Sequence, residues 1–206
     1  MVRFTGAERS KGKLKALSEP ILWGEYRLYH APRGALWKGI GGAILKSFPA
    51  IRADVSRTMS AFSILEILGA ISPLHSPSPA KYALGLSALE ALEAGPAPWT
   101  ETAFALRLLA AAGLGFPSRP AECASKQLWE ALLEQPFAGL RSIPYDTGTD
   151  AALKGLIQEQ VEAQSEQPLR AWGVKKRLTL FVGQQEPGAR GEAPADACPA
   201  PPTLTL

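Results

Sequence analysis

The chain has 206 residues, 46 % apolar and 20 % charged, with 22 Lys and Arg against 19 Asp and Glu. That length and apolar mass fit one domain or two small ones with a real core, and exclude a disordered polyelectrolyte. Nineteen Gly and 18 Pro without a Gly-X-Y period exclude collagen and predict frequent loops. Two cysteines, Cys123 and Cys198, exclude a disulfide framework and fit a reducing cytoplasm. The first twenty residues hold no apolar signal core, and no apolar run approaches the roughly 20 residues of a membrane span. Ala103 to Gly115 comes nearest, and Arg107 interrupts it. A cytoplasmic protein without a membrane partner is therefore expected.

From Met1 to about Phe48 the chain reads as strands. Val2-Arg3-Phe4-Thr5 alternates apolar and polar, and Ile21-Leu22-Trp23, Tyr26 to Tyr29 and Ala35-Leu36-Trp37 are short β-preferring runs. Gly6, Pro20, Gly24, Pro32-Arg33-Gly34 and Gly39 to Gly42 punctuate them as turns do. A small antiparallel sheet or barrel is expected, with three or four strands, too few to close a five-stranded barrel.

From Asp54 to about Val182 the pattern is helical. Asp54 is a good N-cap, followed by a stripe of Val55, Met59, Phe62, Leu65 or Ile64, Leu68 and Ile71. A second helix is predicted over Ala80 to Ala94, with Tyr82, Leu86, Leu89 and Leu92 on one side. A third starts near Thr100 and carries Phe104, Leu106, Leu108 and Leu109; a fourth spans about Ser125 to Leu133. A fifth spans about Asp150 to Ala163, with Leu153, Leu156, Ile157 and Val161 as its stripe and Thr149 as cap. A last one covers Leu169 to Leu180, weakened by Gly173. The tail from Gln184 to Leu206 has five prolines and no periodicity, and is expected to be disordered.

The net charge of +3 hides a polarity. Residues 1–60 carry eleven Lys and Arg against four Asp and Glu, and residues 61–206 eleven against fifteen. Such a chain either presents a basic face to a polyanion, nucleic acid being the commonest, or solvates one end with lysines. Arg9, Lys11, Lys13 and Lys15 alternate with small or apolar residues. If extended, they share one face at about 6–7 Å intervals. Trp23, Tyr26, Tyr29 and Trp37 follow and either stack bases, as in single-strand binders, or fill the core of the β-domain.

Catalytic and metal motifs are missing. His30 and His75 each stand alone beside a turn, and Cys123 supplies a single ligand where zinc needs several. There is no Gly-x-Ser-x-Gly elbow and no P-loop, and Gly39-Ile40-Gly41-Gly42 lacks the rest of a dinucleotide fingerprint. Glu90 and Glu93 read as exposed helix decoration rather than an acid/base pair.

Three stretches together resemble the RecO family of bacterial DNA-repair and recombination mediators. They are Gly6-Ala7-Glu8-Arg9-Ser10-Lys11-Gly12-Lys13-Leu14, the run from Ile51-Arg52-Ala53-Asp54 to Leu65-Glu66-Ile67-Leu68, and Phe104-Ala105-Leu106-Arg107-Leu108-Leu109 followed by Gly113. Leu169-Arg170-Ala171-Trp172 to Arg177-Leu178 is weakly similar to the family's final helix, so the likeness covers about residues 1–182. It implies an N-terminal OB-fold, a helical domain, binding of single- and double-stranded DNA, and strand annealing in the RecF pathway. Partners implied are RecR and the C-terminal tail of single-stranded-DNA-binding protein; neither catalysis nor a nucleotide cofactor is implied. Two departures stand out. Met1 falls almost on the family's basic stretch, so the likeness begins inside the β-domain. The four-cysteine zinc module of many members is reduced to Cys123, so no metal is expected.

The resulting expectation is α+β, mostly α: a partial N-terminal OB-fold-like β-domain over residues 1–50, a C-terminal helical domain over 51–183, and a disordered Pro-rich tail over 184–206. The expected function is non-catalytic, cytoplasmic and nucleoid-associated DNA binding and annealing in response to DNA damage. Arg3, Arg9, Lys11, Lys13 and Lys15 form the expected phosphate-binding face, extended by Arg27 and Lys38. Arg107, Lys175, Lys176 and Arg177 are secondary candidates for DNA or partner contact. For Arg107 a salt bridge with Glu101 or Glu66 is the structural alternative, and for Lys175 to Arg177 a helix cap. The rival reading is a helical interaction or scaffold protein with a solubilising basic N-terminus and no DNA affinity.

Overall fold

In the computed structural model, which describes residues 2–4, 14–30, 37–73, 76–120, 122, 124–165 and 169–171, a small sheet precedes a larger helical body. The sheet has the order β1 (Val2–Phe4), β3 (Trp37–Ser47), β2 (Leu22–His30). β2 and β3 are antiparallel, whereas β1 runs parallel to β3, not antiparallel as expected.

Two glycine turns read from the sequence are strand interior. Gly24 lies within β2, and Gly39 to Gly42 lie within β3. Close approach explains their choice. A Cβ on Gly42 would stand 2.2 Å from the Glu25 carbonyl oxygen, and one on Gly24 2.7 Å from that of Ala43. Phe4 lies across Gly39, where a Cβ would meet its ring at 2.3 Å. The register slips twice, between Trp23 and Gly24 and between Arg27 and Leu28 of β2. Both extra residues, Leu45 and Ile40, belong to β3, so β2 itself alternates without interruption.

The helices are α1 (Pro49–Ala53), α2 (Val55–Ile71), α3 (Pro79–Ala94), α4 (Thr100–Ala111), α5 (Lys126–Glu134) and α6 (Thr147–Glu162). Asp54 caps α2 as expected, accepting the Arg57 N–H at 2.9 Å. Ser125 caps α5 in the same way, and Asp146, three residues before Thr149, caps α6. The short α1 was not legible in the pattern. Two stripes agree with the expected ones only in part. On α2, Val55 is 71 % exposed and Leu65 is exposed, while Ser60, Ala61, Ser63, Ile64, Ile67 and Ile71 are buried. On α3, Tyr82 is exposed and Gly85, Ala88, Leu89, Ala91 and Leu92 face inward. Small residues on these buried faces let the helices approach closely beside Ile64, Ile71, Leu89 and Leu92, which the expected stripes contain.

Helix α4 is the centre. It packs against α2, α3, α5 and α6, and every residue from Thr100 to Leu109 except Arg107 is buried. A helix apolar all round is one with neighbours all round. Ile21, Phe48 and Ile51 belong to the same core and join the sheet to it. Ile21 holds a positive φ of 58°, an uncommon conformation for a β-branched residue. Its carbonyl and that of Pro20 accept the Arg52 guanidinium, which also pairs with Glu19 at 2.9 Å.

Candidate nucleic-acid interface

The sheet has two faces of different chemistry. Residues directly opposite in a ladder share a face, and successive residues alternate. Lys38 of β3 stands opposite Arg3 of β1 on one side and Tyr29 of β2 on the other. Arg27 lies two residues along β2 from Tyr29 and shares its face. Opposite Arg27 is Gly41, and opposite Glu25 is Ala43, so the surface beneath the Arg27 side chain is flat. Neighbouring strands lie about 4.8 Å apart and alternate residues about 7 Å apart. Lys38 and Tyr29 are thus within one strand spacing, with Arg27 one step further. Arg27, Tyr29 and Lys38 are exposed, Tyr29 by 50 %. Neither Arg27 nor Lys38 takes part in an ion pair among the described residues.

Three of the seven predicted phosphate contacts, Arg3, Arg27 and Lys38, therefore fall on one patch at the level of the backbone register. Lys15 is exposed and precedes a short 3-10 turn at Ala16–Ser18, which packs beside β3. Arg9, Lys11 and Lys13 lie outside the described residues.

The aromatic candidates divide between the faces. Tyr29 stands among the cations. Trp23 shares their face at the far end, where it is half-buried against the helical core. Tyr26 and Trp37 lie on the opposite face with Phe4, Leu28 and His30. There Phe4 meets Tyr26 edge-on at 5.8 Å, and His30 sits 4.7 Å from Trp37. Leu28, Ile40 and Ile44 add exposed apolar surface to the ribbon. Lys46, the remaining cation of the ribbon, is committed inward: it pairs with Glu90 at 2.7 Å and lies over the Phe48 ring.

Arg107 takes neither salt bridge foreseen for it. Its Nε donates to the Leu132 carbonyl at 2.8 Å and a terminal nitrogen donates to that of Gln135. The guanidinium lies 4.5 Å over the Phe137 ring, and burial pulls its pKa down from the ordinary value. It thus caps the C-terminus of α5, where a cation meets the negative end of the helix. Arg107 also lines a groove of about 450 Å³ with Arg141, Glu90 and Phe137. Arg141, which no sequence pattern marked, donates to the Ala91 carbonyl at 2.7 Å.

Glu101 and Glu66 are engaged elsewhere. Glu101 joins a buried polar cluster with Ser60, Lys154 and Asp150. Lys154 lies 2.8 Å from Asp150 and 3.3 Å from Glu101. Burial opposes its charged form, yet the two carboxylates outweigh burial and raise its pKa. Thr102 and Tyr145 both donate to Asp150. The cluster ties α2, α4 and α6 together. Glu66 accepts the backbone N–H groups of Arg170 and Ala171.

Lys175, Lys176, Arg177, His75 and Cys123, and the tail from Gln184, lie outside the described residues. Among the described residues no helix is long and apolar enough to cross a membrane. Compared with known proteins, the chain matches no family model and no curated protein.

Proposed function

We propose that the chain is a RecO-like, non-catalytic DNA-binding protein that anneals strands as a mediator of recombinational repair. The observation that carries this reading is the alignment of Arg3, Lys38 and Tyr29 across three strands, with Arg27 beside them. Cations at this spacing neutralise successive phosphates, and an exposed tyrosine among them offers a ring for a base. In this reading the sheet is the remnant or part of an OB-like barrel, and Arg9, Lys11, Lys13 and Lys15 extend its basic face. Single- and double-stranded DNA are the ligands. RecR and the acidic tail of single-stranded-DNA-binding protein are the protein partners, with the groove at Arg107 and Arg141 as the tail's dock. The protein then works in the cytoplasm at the nucleoid.

A second reading, a helical interaction or scaffold protein, is favoured by one observation. Arg107 and Arg141 are taken up by main-chain carbonyls of the helical body, so they already have structural work. Fluorescence-anisotropy titration of a labelled oligonucleotide at several salt concentrations separates the two. The DNA-binding reading expects affinity that falls steeply with salt. It expects Arg27→Ala and Lys38→Ala each to reduce the salt slope by about one, for every sequence alike. An unchanged slope removes this face from the interface. No binding at physiological salt leaves the scaffold reading.

A further inference from the structure

The nine-residue strand β2 pairs with β3 along one edge, and along its outer edge it pairs with no strand among the described residues. A long edge with exposed apolar side chains is a template for another strand. Tyr26, Leu28 and Tyr29 are such side chains here. Because both bulges lie on β3, β2 offers a regular edge over its full length of about 30 Å.

We propose that this edge is a self-association surface, at which a second copy of the chain adds its own β2 antiparallel about a two-fold axis at Tyr26. Tyr26 is the midpoint of Leu22–His30, so this register pairs the whole strand with its copy. A two-fold contact of this kind is isologous, each residue meeting its mirror position in the sequence. Glu25 then stands opposite Arg27 of the second copy, and Arg27 opposite its Glu25. Trp23 meets Tyr29 on the same face, and Gly24 leaves room for Leu28 on the other. Neither Glu25 nor Arg27 has an ion-pair partner among the described residues of its own chain.

The charges also exclude the neighbouring registers. A slide by one residue sets the two faces of the sheet against each other, since opposite residues must point to the same side. A slide by two in one direction places Glu25 against Glu25, and in the other Arg27 against Arg27. Like charges directly opposite destabilise a pair, so one register is attractive and both alternatives repel. The product is a six-stranded sheet in the order β1-β3-β2-β2-β3-β1, an ordinary width for an open sheet. This inference does not depend on nucleic-acid binding.

Sedimentation equilibrium of the full chain tests it. Wild type is expected to form a reversible dimer. Glu25→Arg and Arg27→Glu are each expected to weaken it roughly tenfold, because symmetry places two like-charged pairs where two opposite pairs stood. The double reversal Glu25→Arg with Arg27→Glu is expected to recover affinity to within about threefold of wild type. Hydrogen exchange of wild type needs no variant: protection of β2 amides is expected to rise with protein concentration. A monomer at every concentration, single reversals without effect, a double variant as weak as the singles, or concentration-independent exchange each overturns the proposal.

Discussion

Glu93 on α3 accepts the backbone N–H of Ile51 at 2.9 Å, and its other oxygen takes that of Ala50 at 3.0 Å. Helix α1 begins with Pro49 and has no side-chain cap of its own, because Phe48 precedes it. The first N–H groups of a helix have no partner within it. Pro49 removes one such donor, and Glu93 satisfies the next two from another helix while placing negative charge at the helix's positive end. Glu93→Ala is expected to lower unfolding free energy by about 1–3 kcal/mol, the cost of leaving such donors without their charged acceptor. Glu93→Gln keeps one acceptor and is expected to lose less. Urea denaturation followed by circular dichroism checks the order; equal midpoints for all three proteins reject the role.

Arg107 holds the end of α5 through the carbonyls of Leu132 and Gln135. Arg107→Ala is expected to cost about 2–3 kcal/mol, since hydrogen bonds from a charged donor and the contact with Phe137 go together. The loss should concentrate in hydrogen-exchange protection of α5. Arg107→Lys retains the charge but cannot reach two carbonyls with a planar fork, so it should recover only part. Full wild-type stability in Arg107→Ala would free this residue for a purely binding role.

The helices were legible because caps and turns punctuate them: Asp54 and Ser125 are capping residues, and Pro and Gly mark the ends of α2 and α3. The helix starting near Thr100 with Phe104, Leu106, Leu108 and Leu109 is found as expected; that it is the centre of the fold emerges only from its neighbours. The sheet was harder. Gly24 and Gly39 to Gly42 carry the local signature of turns, yet here they relieve close contacts between paired strands, which only the partner strand reveals. On α2 and α3 the large apolar residues mark the buried face only in part: Ile64, Ile71, Leu89 and Leu92 are buried, but Ala, Ser and Gly complete those faces, and Val55, Leu65 and Tyr82 stay exposed. Glu90 and Glu93 read as surface decoration, because their partners Lys46, Ala50 and Ile51 lie over forty residues away. Of the basic patch, charge counting found Arg3, Arg27 and Lys38, but only the register joins them across strands.

Tyr145 donates to the Asp150 carboxylate at 2.8 Å. Burial, and then the charge of Asp150, push its pKa from 10.0 up to about 12. The folded state therefore keeps a proton that the unfolded state releases above pH 10. Stability falls as pH rises through this window, because the unfolded state binds fewer protons there. Lys154, raised by Glu101 and Asp150 against the effect of burial, acts in the same direction at higher pH. Tyr145→Phe is expected to flatten the dependence of unfolding free energy on pH above 10. Urea unfolding at a series of alkaline pH values checks this; an unchanged slope in the variant assigns the alkaline loss to other groups.

Gly41 and Gly42 are neighbours in β3 with opposite demands. A Cβ on Gly41 meets nothing within 4 Å, whereas one on Gly42 falls 2.2 Å from the Glu25 carbonyl oxygen and 3.2 Å from the Tyr26 Cα. Backbone cannot move aside as a side chain does, so Gly42→Ala must push β2 away from β3. The expected cost is about 1–3 kcal/mol, the range for forcing extra volume into a packed site. Gly41→Ala adds no clash and reduces the freedom of the unfolded chain, so it is expected to be neutral or stabilising by up to about 1 kcal/mol. Hydrogen exchange of the ribbon's amides is the sensitive measurement, because it reads the β2–β3 ladder separately from the helices. Gly42→Ala should accelerate exchange across Gly24 to Arg27 while leaving α4 unchanged. Equal exchange in the two variants would mean that the strands do not approach each other in this register.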